Sequence, residues 1–124
     1  MDPRRSVGKR GEEEAARFLQ KRGFAILDRN VRSRLGEIDL VARDGKSLVF
    51  VEVKARREGG GDPPQAGVTE AKQRRLAQLA QQYLKYKRIP EGPCRFDVVA
   101  VTLDGQDRVK TLRHFPAAFD AGAW

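Results

Sequence analysis

Apolar and polar side chains alternate most regularly between residues 36 and 54, in two runs that Asp44-Gly45 separates. A period of two is typical of β-strands, and Asp-Gly suits a type I′ turn because glycine accepts a positive φ. The pattern therefore predicts a β-hairpin with Asp44 and Gly45 as its two loop residues. In that register, Glu37 on the first strand lies directly opposite Glu52 on the second.

The same alternation assigns the hairpin side chains to two faces. Carboxylates on neighbouring strands repel one another, and a hard divalent cation would offset that repulsion, because carboxylate oxygens are ligands for Mg²⁺ and Mn²⁺. The charged face is therefore a candidate metal site, and a merely solvated acidic face is the simpler alternative. The apolar face comprises Ile38, Leu40, Val49, Val51 and Val53, and the charged face comprises Glu37, Asp39, Glu52 and Lys54.

Apolar residues at helical spacing predict a first helix over residues 6 to 22, with Ser6 as its N-cap and Gly23 at its end. Residues 12 to 14 are all glutamates and fall early in this helix, where the helix dipole favours anions. Glu12 lies at the edge of the apolar stripe. It is therefore placed to look onto the sheet and to add a carboxylate to the site.

The remaining pattern predicts further strands and a second helix. A strand, a helix and another strand in succession form a βαβ unit, which requires a parallel strand pair and a right-handed crossover. The predicted elements are a strand over residues 24 to 32 that bends near 28 to 30, a mobile loop over 55 to 67 at the rim of the site, a helix capped by Thr69 and ended by Pro90, a strand over 95 to 102, a weaker strand over 109 to 115, and a helical turn over 117 to 121.

Length and composition indicate one globular domain over residues 1 to 124. Hydrophobic residues make up 40% and charged residues 34% of the chain, which excludes an intrinsically disordered protein. No apolar stretch approaches the roughly 20 residues that span a membrane, and no signal peptide is recognisable. The single Cys94 excludes an internal disulfide and fits a reducing compartment. We therefore expect a cytoplasmic protein that does not bind membranes.

The chain is strongly basic, with a formal net charge of +8. The acidic hairpin lies between two segments with a surplus of Lys and Arg, residues 1 to 34 and 55 to 90. A basic surface around a carboxylate cluster suits a polyanion that is held while a metal acts on it. The charge pattern therefore indicates nucleic acid as the partner, with DNA favoured and RNA left open. Whether the protein forms a homodimer is open, and Trp124 is available for packing or for dimerisation.

Several short strings resemble the YraN-type family of small bacterial endonuclease-like proteins. The predicted element order also resembles the αβββαβ core of the PD-(D/E)XK nuclease superfamily. The resemblance implies an α/β, restriction endonuclease-like fold, with a central mixed sheet flanked by helices and similar to archaeal Holliday junction resolvases. The strings are Gly11-Glu12, Arg29-Asn30-Val31-Arg32, Gly36-Glu37-Ile38-Asp39-Leu40, Phe50-Val51-Glu52-Val53-Lys54 and Arg95-Phe96-Asp97-Val98-Val99.

The resemblance implies catalytic roles for four residues. Asp39 matches the metal-binding acid of the superfamily, Glu52 the second acid and Lys54 the motif lysine. Glu12 matches the helix-one glutamate of resolvase-like members. Ile38 stands where the superfamily motif has its proline, a departure that removes no ligand. The implied activity is metal-dependent hydrolysis of phosphodiester bonds in DNA, including branched or junction DNA.

The implied cofactor is Mg²⁺ or Mn²⁺, held by Asp39, Glu52 and the carbonyl of Val53, together with Glu12. Whether Glu37 also binds the metal is open. Basic and polar residues around the hairpin are expected to contact phosphates, mostly without reading bases. They are Arg32, Arg34, Arg56, Arg57, Lys72, Gln73, Arg74 and Arg75. The alternative from another class is a non-catalytic nucleic-acid-binding or assembly module that retains the nuclease fold. His114, the only histidine, is assigned no role.

Overall fold

The computed structural model describes residues 3–59 and 68–119. Within these ranges, two helices and five strands form an α/β fold. The strand order across the sheet is β1-β2-β3-β4-β5, the same as the order along the chain. The elements are α1 (Pro3–Lys21), β1 (Ala25–Ser33), β2 (Gly36–Asp44), β3 (Ser47–Arg57), α2 (Glu70–Tyr86), β4 (Cys94–Leu103) and β5 (Val109–Phe119).

The sheet is mixed, as predicted. Strands β1, β2 and β3 are antiparallel neighbours, β3 and β4 are parallel, and β4 and β5 are antiparallel. The parallel pair is joined through α2, so the predicted βαβ unit is confirmed. The order helix, three strands, helix, strand is also confirmed, and β5 adds a fifth strand at the edge. No helix in the described ranges is long and apolar enough to cross a membrane.

Each face of the sheet packs against one helix. The apolar stripe of α1 packs on one face, around Leu40, Val49 and Val51. The apolar stripe of α2 packs on the other face, around Leu48 and Phe50. Alternate residues of β3 therefore belong to different cores, which explains why this strand is apolar along most of its length. We call these two sides the α1 face and the α2 face.

The hairpin turn lies one residue later than predicted. Asp44 pairs with Ser47, so the loop residues are Gly45 and Lys46 rather than Asp44 and Gly45. Gly45 has φ +60°, and Lys46 is not among the described residues with positive φ. A positive φ at the first loop residue alone indicates a type II′ turn, which also prefers glycine there. Each paired residue has a partner two positions further on, so the side chains keep their predicted faces as far as the pairing extends, from Leu40 to Val51.

Helix α1 starts earlier than predicted. It begins at Pro3, a residue type that suits the first helical position, so Ser6 lies inside the helix and is not its N-cap. The glutamates at residues 12 to 14 consequently lie in the middle of the helix, and the prediction that they fall early in it is wrong. The prediction failed because the first turn carries no apolar side chain that would mark it. Gly23 ends the helix with φ +93°, as predicted.

Two further boundaries differ from the prediction. Strand β3 continues to Arg57, so the start of the predicted mobile loop is regular structure, while residues 60 to 67 lie outside the described residues. Strand β5 continues to Phe119, so the predicted helical turn is wrong where it is described. Ala117 has φ +49° there, next to a shift in the pairing with β4. The rest of that turn and Trp124 lie outside the described residues.

The second helix begins as predicted and ends slightly earlier. Thr69 is its N-cap, and its hydroxyl accepts a hydrogen bond from the backbone N–H of Lys72 at 3.2 Å. This contact satisfies one of the four N–H groups that lack a partner at a helix start. The helix ends at Tyr86, before Pro90. Its fixed start matters for function because it places the side chain of Lys72 beside the candidate site.

Candidate metal centre

The candidate site lies where β2 and β3 part. Backbone pairing between them stops at Leu40 with Val51, although β2 continues alongside β1 and β3 continues alongside β4. We call the opening beyond this pair the fork. Inside it, the Asp39 carboxylate accepts a hydrogen bond from the backbone N–H of Val53 at 2.7 Å. A side chain thus bridges the two strands just beyond the point where their ladder ends.

Strict alternation does not continue into the fork. Leu40 packs on the α1 face, as its pairing with Val51 requires, but Ile38 packs with α2 on the opposite face. The prediction that Ile38 shares a face with Leu40 is therefore wrong. The β2 strand has left β3 at this point and follows β1, whose Val31 pairs with Ile38. The fork, rather than one flat sheet face, is what brings the β2 carboxylates toward β3.

Three carboxylates meet at the fork. Glu12, Glu37 and Asp39 each offer one oxygen, and these oxygens lie within 4.8 Å of one another. Glu12 comes from α1, which approaches β3 closely because its neighbour is Gly11. A Cβ built on Gly11 would lie 2.4 Å from the Cβ of Ala55, closer than packed side chains allow. The glycine therefore permits the close approach of α1 that places Glu12 over the fork.

Asn30 connects two of these carboxylates, and the sequence analysis assigned it no role. Its side-chain amide donates to Glu12 at 2.7 Å and to Glu37 at 2.6 Å. Its φ of +52° is a left-handed conformation that asparagine tolerates better than most residues. It lies between the pairs Arg29 with Leu40 and Val31 with Ile38, and so opposite Asp39. The only sequence signal was its place in the second string of the family resemblance.

Burial and crowding raise the pKa of Asp39 from 3.8 to about 8. Burial is the largest cause, the neighbouring Glu52 carboxylate is the next, and Glu12 and Glu37 act in the same direction. The hydrogen bond from Val53 opposes the rise but does not cancel it. Near neutral pH this carboxyl therefore retains its proton for much of the time. A cation that binds there would replace that proton.

The pKa of Glu12 is also raised, mainly by burial and further by Glu37 and Glu52. The hydrogen bond from Asn30 and the charge of Arg32 act against this rise. Two carboxyl groups of the fork thus resist ionisation without a metal. Groups whose environment disfavours the charged form at a shared site are typical of functional sites rather than of structural ion pairs.

Glu52 lies beside the cluster and has a cationic partner of its own. It is only 8% exposed, and its carboxylate contacts the ammonium of Lys72 on α2 at 2.5 Å. Burial lowers the pKa of Lys54, the nearby charge of Lys72 lowers it further, and Glu52 opposes both. The structure therefore places Glu52 and Lys54 near Lys72. The carbonyl of Val53 as a metal ligand stays a prediction, because Val53 contacts Asp39 through its backbone N–H.

Four of the predicted phosphate contacts lie around the fork or at the start of α2. The guanidinium of Arg32 is 3.8 Å from Glu37, and most of its side chain is exposed. The ammonium of Lys72 contacts Glu52. The side-chain amide of Gln73 donates to the carbonyl of Val68 at 2.7 Å, a contact that stabilises the start of α2. Arg75 is exposed and passes Gly36 at the start of β2.

The other four are placed differently. Arg34 is exposed in the turn between β1 and β2, and Arg74 is exposed on α2. Arg56 lines a groove further along β3. Arg57 is engaged by Asp107 of the β4–β5 loop at 2.5 Å, a contact that offsets its charge. The predicted set is therefore not one continuous patch.

A second acidic centre lies deep in the sheet, and the sequence analysis did not single it out. Asp97 on β4 is 0% exposed. Its carboxylate accepts a hydrogen bond from Arg95 at 3.0 Å and from the backbone N–H of Ala117 at 2.9 Å, and the His114 ring lies 2.8 Å away. His114 therefore has a structural contact rather than a place at the fork. We call this set the Asp97 network.

The fold and the fork define a small α/β protein with a carboxylate cluster at the point where two strands of a mixed sheet part. The chain belongs to the uncharacterised protein family UPF0102, whose model matches residues 11–101. This confirms the resemblance to the YraN-type family. The match begins at Gly11, beside Glu12, and ends in β4.

Bacterial relatives support the assignment across almost the whole chain. A UPF0102 protein of Pelotomaculum thermopropionicum is 52% identical over 118 residues, which cover 95% of this chain and 98% of the relative. UPF0102 protein STH1475 of Symbiobacterium thermophilum is 52% identical over 112 residues, or 89% and 95% of the two chains. A UPF0102 protein of Geobacter metallireducens is 45% identical over 116 residues, or 94% and 93%. These relatives are therefore similar in length as well as in sequence.

Proposed function

We propose that this protein is a metal-dependent nuclease that hydrolyses phosphodiester bonds in DNA, with Mg²⁺ or Mn²⁺ bound at the fork. The observation that carries this proposal is the meeting of Glu12, Glu37 and Asp39 within 4.8 Å, with a pKa of about 8 at Asp39. Folding alone gives no gain from such a cluster, because like charges repel and burial disfavours them. A divalent cation supplies the missing compensation.

The side chains at the fork fit such an ion. Carboxylate oxygens are the ligands that Mg²⁺ and Mn²⁺ prefer, and no described histidine or cysteine competes at this position. Asp39, Glu12 and Glu37 would hold the ion, with Glu52 and the carbonyl of Val53 as further ligands. When bound, the metal lowers the pKa of a water molecule and polarises the scissile phosphate.

Lys54 is the residue that would handle the proton of the attacking water. Its lowered pKa, caused by burial and by the charge of Lys72, brings the amine closer to proton exchange near neutral pH. Lys72 holds the Glu52 carboxylate in place beside it. Arg32 at the rim, together with the exposed Arg74 and Arg75, would attract the flanking phosphates.

The basic balance of the chain favours nucleic acid as the partner, and the resolvase-like resemblance favours branched DNA. The alternative is a non-catalytic nucleic-acid-binding or assembly module that retains the fold. The ion pair between Lys72 and Glu52 favours that alternative, since it offsets the charge of Glu52 without a metal. Location in the cytoplasm and a homodimer stay predictions, as does the preference for DNA over RNA.

The experiment is a cleavage assay with Mn²⁺ or Mg²⁺ on junction, flap, single-stranded DNA and RNA substrates. We expect the wild type to cut at least one DNA substrate, and Asp39→Ala, Glu52→Ala and Lys54→Ala to abolish cutting. Two matched controls, Glu14→Ala on α1 and Lys46→Ala in the hairpin turn, change the same kinds of charge away from the fork and should keep full activity. Absence of cutting, combined with absence of Mn²⁺ binding by calorimetry, would leave the binding module as the function. Cutting of RNA alone would mean that the substrate is RNA rather than DNA.

A further inference from the structure

A groove lies on the α2 face of the sheet, beyond the residues that α2 covers. It has a volume of about 360 Å³ and lies between β3 and β5. Among the described residues, its basic lining residues are Arg56 on β3 and Lys110 and Arg113 on β5, and its acidic lining residue is Glu58. Its floor includes Ala100 and Thr102 of β4, which are both almost fully buried.

Strand register places this groove next to Lys54, the residue that we propose acts at the fork. Lys54 pairs with Ala100, which pairs with Arg113, so these three side chains form one row across the α2 face. Arg56 and Thr102 belong to the next row. Alternate residues of a strand share a face and are separated by about 6.6 Å, twice the rise of 3.3 Å per residue. The groove therefore starts in the row of Lys54, at Ala100 and Arg113, and extends through the next row away from the fork.

The charges in the groove favour an extended anion. Lys110 has a partner, since its ammonium is 3.0 Å from the Glu58 carboxylate. Arg113 is exposed, and its guanidinium lies over the Phe115 ring at 5.1 Å, a contact that orients it without neutralising it. Among the described lining residues, the formal charges are three positive and one negative. Thr111 adds a hydroxyl at the same surface.

The width of the groove limits what can enter it. Strands β3 and β5 are separated by β4 alone, so their backbones are about 9.6 Å apart, twice the spacing of 4.8 Å between neighbouring strands. A B-DNA duplex is wider than its own major groove, which is already about 12 Å wide. A duplex is too wide to lie between these walls, whereas one sugar-phosphate strand is not.

We propose that this groove binds the sugar-phosphate backbone of a single nucleic-acid strand that leads away from the bond cut at the fork. The inference rests on the proposed function and narrows it, because it assigns the enzyme to substrates with a single-stranded arm. The contacts are to phosphates, from Arg56, Lys110 and Arg113, so they carry no base specificity. This surface is separate from the exposed arginines of α2.

The test measures binding of fluorescent 12-nucleotide single-stranded DNA, the matching RNA and a blunt 12-base-pair duplex by anisotropy, in EDTA and over a range of salt. We expect the wild type to bind the single strands more tightly than the duplex. The double variant Lys110→Ala with Arg113→Ala should bind single strands at least about tenfold more weakly at low salt. Its salt slope should fall by about 1.4, since each lost phosphate contact on a single strand contributes about 0.7.

Arg108→Ala is the matched control, because Arg108 is an exposed arginine near the same hairpin that pairs with Asp104 instead of lining the groove. It should bind single strands like the wild type. Arg113→Lys keeps the positive charge, so the salt dependence of its single-strand binding should stay close to that of the wild type. The inference is overturned if the double variant binds single strands as Arg108→Ala does, or if the wild type prefers the duplex. Thermal melting of each variant confirms that it is folded.

The proposed nuclease site at the fork and the proposed strand binding in the groove can be disproved independently of each other. Asp39→Ala removes a fork carboxylate and should leave single-strand affinity in EDTA unchanged or slightly higher, because it removes a negative charge beside a phosphate. If the wild type neither binds Mn²⁺ nor cuts DNA but the double variant still loses single-strand affinity, the proposed nuclease fails and the groove remains a strand-binding surface. If cutting depends on Asp39 but not on Lys110 and Arg113, only the groove is overturned.

Discussion

Asp39 and Asp97 are aspartates of the same sheet, but the groups around their carboxylates are of opposite kinds. Asp97 is surrounded by donors: Arg95, His114 and the backbone N–H of Ala117 all lie within about 3 Å of its carboxylate. Asp39 receives a hydrogen bond from Val53 and otherwise faces the carboxylates of the fork and of Glu52.

The difference shows what each position is for. A buried carboxylate with a full set of donors is a strong contact that is costly to break, since removal of one partner leaves another charge uncompensated. A buried carboxylate among carboxylates has no such compensation and lowers stability when it ionises. The first belongs to the fold. The second lacks such compensation among the described residues, which is why we propose a bound cation there, and this difference can be tested experimentally.

The largest expected effect is at Asp97. Asp97→Asn removes the charge that Arg95 and His114 face, and should lower the free energy of unfolding by about 3 to 5 kcal/mol. Urea denaturation in EDTA at pH 7 measures this loss. The control, Glu13→Gln on the exposed side of α1, should change stability by no more than about 0.5 kcal/mol. A loss below about 1 kcal/mol would show that the Asp97 network contributes little to the fold.

The next effect is the response to metal. At a Mn²⁺ concentration 100 times the dissociation constant, the wild type should gain about 2.7 kcal/mol of stability, because the ion binds the folded state alone. Asp39→Asn should lose most of this gain, and Glu14→Gln should keep it. Thermal melting with and without Mn²⁺ gives the comparison. Equal stabilisation of the wild type and Asp39→Asn would place the ion elsewhere.

The third effect is a pH dependence without metal. The pKa of Asp39 is about 8 in the folded state and has an ordinary value near 3.8 when unfolded. Between these values the folded state holds the extra proton, so stability falls as pH rises from about 4 to about 8, and the contribution is constant above that range. The slope from this one group is at most about 1.4 kcal/mol per pH unit.

Asp39→Asn keeps the shape of the side chain and cannot ionise, so the pH slope should become flatter over that range. At pH 8 in EDTA the variant should be more stable than the wild type. Urea denaturation at pH 5, 6, 7 and 8 measures both quantities. A wild type whose stability rises through this range, together with an unchanged slope in the variant, would mean that the fork carboxylates are already compensated within the chain.

The smallest effect concerns Asn30. Two variants test it, and they differ only in how well they tolerate the positive φ at this position. Asn30→Gly removes the amide and keeps the φ of +52° without strain, whereas Asn30→Ala removes the amide and adds roughly 1 kcal/mol of backbone strain. Both should raise the pKa of Glu12 further, since the Asn30 hydrogen bond lowers it. Carbon NMR titration of the Glu12 carboxyl measures this, and an unchanged pKa in both variants would contradict it.

Alternation along the chain was enough to predict the hairpin and its inner face. Leu40, Val49 and Val51 pack on the α1 face as expected, because a period of two directly reports a half-buried strand. The loop register was missed by one residue, because Gly45 suits either loop position and only the strand pairing decides between type I′ and type II′. The faces of the paired residues were still predicted correctly because every partner changed by two positions, whereas Ile38, beyond the last pair, was not.

Other parts of the site were not predictable from the pattern. Asn30 acquires its role from a left-handed backbone conformation opposite Asp39, and the sequence shows no such conformation. The contact between Lys72 and Glu52 joins residues 20 positions apart, across the start of α2. The Asp97 network likewise draws His114 from a neighbouring strand. Contacts between elements depend on tertiary packing, and a periodicity reports only the face of its own element.

The parallel ladder between β3 and β4 has a consequence for the order in which the chain folds. It pairs Leu48 with Cys94, so it closes only after α2 has formed its crossover, and such long-range pairing is slow. The fork, in contrast, draws its carboxylates from α1 and β2, which lie earlier in the chain. During synthesis, the segments that carry the fork carboxylates therefore leave the ribosome before the donors of Asp97. The C-terminal strands then complete the sheet around a site whose carboxylates come from the N-terminal part.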